Sequence, residues 1–540
     1  MKKYFIIFLI IIALLISGIL IKAGRQSNYI KAVTYYGGSS SWAVNFWNSN
    51  FLNLNTDFQR IHNEGFNAVV IAVPWGEFQP TVNPISYNNS ALVRLNTLFR
   101  VAQSNHLGVI IRVSYLWDLF PNEQQPTIQR FQGLYTSTAD MLSWKNYLSM
   151  IQKISSRYSN FKFAFISWED FWSPLMDFFG YNQPQLLQLS KEMGYQSWLK
   201  NNFGLSTLNQ IYSSNFTSYS EIPISNSPTG KFLLYKYFDY EFTHRFYTAA
   251  QKIFPKLTVE ARVDFDPYTV PVSNSAALYR YYDMYSLPKT NILSIYWAPY
   301  MRATSHVLSY TESLNLLKLT LLDVRKHDKN KNIFIDQLNF YDNTPGYESN
   351  SIIEPSQLPS FLANLSPLLK KYTIGYALWT YRNTTANYVY NASFSNMSMG
   401  WLLKGRVSFA STRSLSFAKL SGGSSVSQLI GINSYKPPAD ISLKTSFLFK
   451  SLSRSSIIKI VAGNYSRYIV LRNGNKFSKE TIVLPPMGKS TFNYAIEDRK
   501  GSIDITQVSV YTYEAIGKVL RQNGTPDVLL NSIIKLNREL

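Results

Sequence analysis

The stretch FISWEDFW, residues 165–172, sets Glu169 and Asp170 among Phe165, Trp168, Phe171 and Trp172, directly after the apolar run Phe161 to Ile166. A carboxyl group walled by aromatic rings loses the hydration of its charged form, so its pKa rises and it stays protonated near neutrality. That is the state in which a group can protonate a leaving oxygen, and Glu169 is the candidate general acid, with Asp170 as its structural neighbour. A second carboxylate stands in IFIDQLNF, from residue 333, where Asp336 precedes Gln337 and Asn339. Two carboxylates facing each other across a sugar suffice to cleave a glycosidic bond, so the chemistry implies no metal and no organic cofactor.

Tryptophans recur beside these acids. Trp75, Trp117, Trp168, Trp297 and Trp379 each follow an apolar run. Sugars present apolar ring faces edged with hydroxyls, so stacked aromatics with carboxylates suit carbohydrate better than nucleotide or peptide. Trp75, Trp117, Trp168, Trp297 and Trp379, with Asn339, are therefore the candidate substrate-binding residues. Each also has a plainer role available: a tryptophan after a strand fills core, Glu77 holds a loop, and Asp118, Asp264 and Asp266 cap helices or pair with Arg112 and Arg262.

The elements that must position these residues are visible as alternating textures. Apolar runs begin near residues 30, 68, 108, 161, 257, 292, 333 and 374, each short and rich in Val, Ile, Phe and Tyr. Continuous runs of this length predict strands buried on both faces. Helical periods separate them, as in LVRLNTLFRVAQ from 92 and LNLLKLTLLDVRKH from 314. The pattern predicts an α/β fold, a (β/α)8 TIM barrel over residues 27–390, whose largest insertion separates the fourth and fifth strands. After residue 390 alternating strand-like pieces punctuated by Gly, Ser and Pro predict an antiparallel β-sandwich, jelly-roll-like, over 391–515. Residues 516–540 close the chain with an amphipathic helix expected to pack back on the barrel.

Composition narrows the partners. Lys and Arg number 53 against 32 Asp and Glu, a net charge of +21, but the basic residues are spread along the chain without a cluster interleaved with aromatics, which argues against nucleic acid. The shortage of acid fits work in acidic surroundings, where exposed carboxylates would be protonated. With no cysteine, disulfides and thiol nucleophiles are excluded, and the 5 scattered histidines offer no ligand pair for a metal. Lys2 and Lys3 precede the apolar run of residues 5–21, so residues 1–26 read as an export signal or an uncleaved anchor. The expected location is extracellular or at the cell surface, tethered to the membrane through this segment.

The motif GFNAVVIAVPWGEFQP resembles the second strand and loop of clan A glycoside hydrolases. Residues 198–224 resemble the helical insertion of the family 42 beta-galactosidases, and IGYALWTYRN resembles the last strand with its sugar-binding tryptophan. NASFSNMSMGWLLKG is similar to the opening of carbohydrate-binding modules, with Trp401 at the expected place. The resemblance implies a retaining, exported glycosidase acting on an oligo- or polysaccharide, with its acid/base at Glu169 and its nucleophile at the end of strand seven. There the sequence departs from the pattern, because Gln337 stands at the nucleophile's place and an amide is a poor nucleophile.

Three resolutions are open. A bulge could bring Asp336 in as nucleophile; Asp266 or Asp342 could activate water in an inverting scheme; or the barrel could bind glycan without cleaving it. An extracytoplasmic solute-binding protein would share the export segment and the aromatic content, but would have two lobes rather than eight strand and helix units.

Overall fold

The computed structural model describes residues 29–37, 46–47, 53–116, 127–263, 265–270, 273, 275–286, 289–299, 307–340, 351–382, 385–412, 415–431, 443–472, 474, 476–514, 519–521 and 524–540. Residues 1–26, expected to be an export signal or anchor, and Trp117, Asp118, Asp264 and Asp342 lie outside the described residues. Among the described residues no helix is long and apolar enough to cross a membrane.

Eight parallel strands close into a barrel: β1 (Ile30–Thr34), β2 (Ala68–Pro74), β3 (Gly108–Tyr115), β4 (Phe161–Ser167), β5 (Leu257–Ala261), β6 (Ile292–Trp297), β7 (Asn332–Leu338) and β8 (Thr373–Leu378). Each strand pairs with its sequence neighbours, and β1 pairs with β8 to complete the ring. The strands read as unbroken apolar runs because both faces are covered. One face meets the surrounding helices, and the other meets the barrel interior. Helices of the outer ring include α1 (Leu54–Asn63), α2 (Asn89–Ser104), α3 (Thr138–Ser155), α4 (Trp168–Asp177), α5 (Lys231–Glu241), α6 (Tyr310–His327) and α7 (Leu358–Tyr372). Caps fix several of their starts: Ser167 accepts from Glu169 N–H at α4, and a reciprocal Ser309 and Glu312 pair opens α6. The long insertion between β4 and β5 is helical, and Phe242–Tyr247 near its end winds as a π-helix before a final α-helical turn, Thr248–Ile253.

Alternation along the strands sorts the interior into layers. Ala68, Val70, Ile110, Phe163, Phe165, Phe334 and Ala377 fill the lower barrel as one apolar cluster. Two residues further along each strand, the inward positions become Arg112, Ser167, Glu260, Ser294 and Asp336, all buried. Above them Tyr36, Ala72, Tyr115 and Trp379 pack together at the mouth. Tyr115 reaches the mouth because β3 slips register against β2 between Val73 and Pro74, with Ser114 in the left-handed region at φ 60°.

The C-terminal unit is antiparallel, with β9 (Leu402–Ser411), β10 (Ser416–Gly431), β11 (Leu443–Ser451), β12 (Ser455–Ala462), β13 (Tyr465–Arg472), β14 (Ser478–Leu484), β15 (Thr491–Lys500) and β16 (Ser502–Glu514). Where two separate sheets were expected, the hydrogen bonding runs continuously through one nine-stranded sheet, in the order β13-β12-β15-β10-β16-β11-β14, with β9 on β10 and Thr385–Asn387 on β16. The cause is the 16-residue β10, whose Ala418 to Ser421 pair with β16 and whose Ser425 to Gly431 pair with β15. Gly422 and Gly423, at φ 65° and 80°, make the bend between the two halves, where other residues would be strained. Trp401 belongs to this unit's own core, buried against Phe394, with its indole N–H donated to the Asn391 carbonyl at 3.1 Å.

The last helix, α8 (Leu530–Glu539), docks beneath the barrel. Asn537 accepts from Tyr376 Oη at 2.6 Å and donates to the Glu64 carbonyl at 3.1 Å, and Lys31 Nζ reaches its carbonyl at 2.7 Å.

Candidate active site

The buried ring of polar residues beneath the mouth is organised by one guanidinium. Arg112 leaves β3 inward and is 4% exposed. Its Nε and Nη2 donate to the two oxygens of Asp170 at 3.0 and 2.7 Å, a forked pair. Nη2 also reaches Ser167 Oγ at 3.0 Å and Glu169 Oε2 at 3.3 Å, while Nη1 lies 3.9 Å from Glu260 Oε2. One cation thus serves three acids, and a charge of this kind is tolerated in the interior only because it is paired and hydrogen-bonded.

Glu169 occupies the first turn of α4, and its side chain keeps 20% of its exposure, the most accessible of the carboxylates around Arg112. Burial, and then the charge of Glu260, push its pKa up to about 7, against the pull of Arg112 and Arg262. Asp170, fully buried, spends both oxygens on Arg112. The aromatic corner expected to raise the Glu169 pKa is real, but its rings face the helical insertion. Trp168 is buried, stacks on Trp172 at 4.8 Å and carries Arg262 over its face at 4.2 Å. Arg262 in turn holds Asp266 at 3.0 Å, and Tyr281 donates to the same carboxylate at 2.7 Å. Asp266 is therefore an ion-pair partner.

Glu260 was not among the sequence candidates. It lies in LTVEARV at an inward position of β5 and is 1% exposed. Ser167 Oγ donates to its Oε1, and Gln337 Nε2 donates to its Oε2 at 3.3 Å. The available signal was a carboxylate in the middle of an otherwise apolar buried strand, a placement that requires partners.

Asp336 and Gln337 both turn inward, which adjacent residues of a regular strand cannot do. The register of β7 against β6 slips between Ile335 and Gln337, so one extra residue is accommodated there. Asp336 accepts from Ser294 Oγ at 2.5 Å and is 0% exposed. Burial, with the charge and hydrogen bonding of Glu260, raises its pKa well above the ordinary value. Asp336, expected as the nucleophile, is thus withdrawn from the barrel mouth, buried and bonded to Ser294. Gln337, 7% exposed, stands above the pair.

The tryptophans divide. Trp379, 9% exposed, meets Tyr36 edge-on at 5.5 Å in the mouth. Trp75 is fully buried and donates its indole N–H to Gln79 Oε1 at 2.6 Å, and Trp297 lies outside the barrel wall, stacked on Phe361 at 6.0 Å. With Trp168 they are core residues, which corrects their assignment as sugar platforms. The physical reason is strand parity: Trp297 follows Tyr296 on β6, so the tyrosine takes the inward place. Asn339 is buried just beyond β7, with its N–H donated to the Trp297 carbonyl at 2.8 Å. Among the described residues no group of three or more His, Asp or Glu is arranged to hold a metal.

No family model matches the chain, and no curated protein matches it. Solved structures of similar outline include the exo-beta-1,4-mannosidase Op5Man5 from Opitutaceae bacterium strain TAV5, at 11% identity and a TM-score of 0.38, covering 66% of this chain and 52% of that one. The chain thus spans about half the length of that mannosidase. The beta-glycosidase BGL167 is 10% identical at a TM-score of 0.39, covering 67% of this chain and 88% of that one. A shorter likeness, to the CBM22-1 xylan-binding domain of Paenibacillus barcinonensis Xyn10C, is 12% identical at a TM-score of 0.18 over 22% of this chain and 88% of that one. At these identities and scores the likenesses assign no activity to this chain.

Proposed function

We propose that the barrel is a glycoside hydrolase of an exported protein, with Glu169 as its general acid. The observation that carries this reading is the state of Glu169: a partly exposed carboxyl beneath an aromatic mouth, pushed up to about 7 by burial and by Glu260 while Arg112 keeps it in place. A proton held at that pKa is available to a glycosidic oxygen at neutral and acidic pH. Trp379, Tyr36 and Tyr115 supply the apolar faces a sugar ring needs, and Gln337 the nearby amide. The Glu260 and Asp336 pair lies below them as a buried negative charge that favours positive character at the reacting carbon. Residues 5–21 act as the membrane tether, and the C-terminal unit holds glycan or braces the barrel.

The test is hydrolysis of a panel of aryl glycosides and oligosaccharides by the full chain and by Glu169→Gln. Cleavage that falls by about 1,000-fold or more in Glu169→Gln supports the reading. Cleavage that survives the substitution overturns the role of Glu169.

A second reading rests on Gln337 at the nucleophile's place: a barrel that binds glycan and cleaves nothing. Calorimetric binding of an oligosaccharide that the unaltered chain leaves intact would favour it.

A further inference from the structure

We propose that the substrates are 2-acetamido-2-deoxy glycosides, and that the sugar's own acetamide oxygen attacks C1 while Gln337 orients it. This rests on the hydrolase reading above.

Among the described residues, the acids on β5 and β7 are withdrawn from the accessible surface of the site. Asp336 is 0% exposed and bonded to Ser294, and Glu260 is 1% exposed and engaged by Ser167, Gln337 and Arg112. Between these acids and the mouth stands an amide. Glu260 is an acceptor, so the amide of Gln337 must turn its NH2 toward Glu260, as the 3.3 Å contact records. The carbonyl oxygen then occupies the other prong of the amide. An acetamide N–H is the donor that such an oxygen matches, and accepting from it makes the acetamide carbonyl oxygen more nucleophilic.

The neighbouring wall suits the rest of that substituent. β8 adjoins β7, and Trp379 N–H points to the Leu338 carbonyl at 3.5 Å, which sets Trp379 beside Gln337 at adjacent strand ends. With Tyr36 and Ala72 it forms an apolar surface fit for a methyl group.

In the first step Glu169 gives its proton to the glycosidic oxygen, the bond from C1 to that oxygen breaks, and the acetamide oxygen bonds to C1. The alcohol leaves and a cationic oxazolinium ring remains, its N–H held by Gln337, with Glu260 behind the amide. In the second step Glu169, now a carboxylate, takes a proton from water, the water oxygen bonds to C1, and the ring opens to restore the acetamide. The sum is glycoside plus water giving alcohol plus free sugar, with the configuration at C1 retained.

The test compares 4-methylumbelliferyl β-glycosides carrying acetamide, trifluoroacetamide or hydroxyl at C2, in gluco and galacto forms, with the full chain and with Glu169→Gln. The expected result is kcat/KM about 100-fold or more higher for acetamide than for hydroxyl, with the electron-poor trifluoroacetamide falling well behind. Equal rates for hydroxyl and acetamide, or for trifluoroacetamide and acetamide, overturn the proposal and leave the hydrolase reading standing. Cleavage of none of them above the Glu169→Gln background overturns it too; if other aryl glycosides are then cleaved, the hydrolase reading survives without it.

Discussion

Arg112 on β3 and Glu260 on β5 approach to 3.9 Å inside the barrel, directly beneath Glu169, which the same guanidinium reaches at 3.3 Å. The acid at the mouth and the buried negative charge below it are therefore held by a single side chain. Arg112→Met leaves Asp170 and Glu260 buried without a counter-charge and should cost about 3–5 kcal/mol, measurable by denaturant unfolding. Arg112→Lys keeps the charge but loses the fork on Asp170, so it should fall between the two.

Asp336→Asn separates an attacking group from a buried partner of Ser294. An amide replaces the buried carboxyl with little change of shape, so the variant should keep its unfolding free energy within about 1 kcal/mol and its kcat within about 10-fold. Glu260→Gln removes the charge itself and should lower kcat by about 100-fold at unchanged fold, as judged by circular dichroism. A loss as large in Asp336→Asn as in Glu169→Gln would restore Asp336 as the attacking group.

The buried carboxyls give the chain a pH dependence of fixed sign. Glu169, Asp170 and Glu64 all rise to about 7, each chiefly through burial, from ordinary values of 4.5, 3.8 and 4.5. The folded state thus binds protons more tightly than the unfolded chain, so their stabilising contribution is full below about pH 4 and is lost as pH rises through about 7. Thermal unfolding should show a higher Tm at pH 5 than at pH 8, and Glu64→Gln should flatten the difference. Hydrolysis should decline above about pH 7 as Glu169 loses its proton.

The tryptophans should part by assay. Trp379→Ala removes a mouth residue and should raise KM by about 10-fold or more, with a small change in Tm. Trp75→Ala and Trp297→Ala open cavities in the packed wall and should cost about 3–5 kcal/mol of stability while leaving KM near its original value.

The barrel was legible because its signals are local. Runs such as AVVIAV from residue 68 and FKFAFI from 161 can be buried on both faces only in a covered parallel sheet, and the helical periods between them leave little choice of crossover. The place of Glu169 on the turn after β4 was legible too, since it directly follows the apolar run of residues 161–166. The parity of Trp297 was not, because a one-residue difference in where a strand begins exchanges its two faces. Nor was Glu260, whose partners Ser167, Arg112 and Gln337 lie 93, 148 and 77 positions away, on three other strands.

What the sequence determined by itself was the alternation of elements, the acid on the turn after the fourth strand and the amide where a nucleophile was expected. The tertiary structure alone decided which residues share the interior. The bulge that turns both Asp336 and Gln337 inward, the guanidinium shared among three acids and the raised pKa of Asp336 beside Glu260 all arise from strands brought together only when the barrel closes. Through-space electrostatics and desolvation act over a few ångströms, and chain order does not encode which side chains will come within that range.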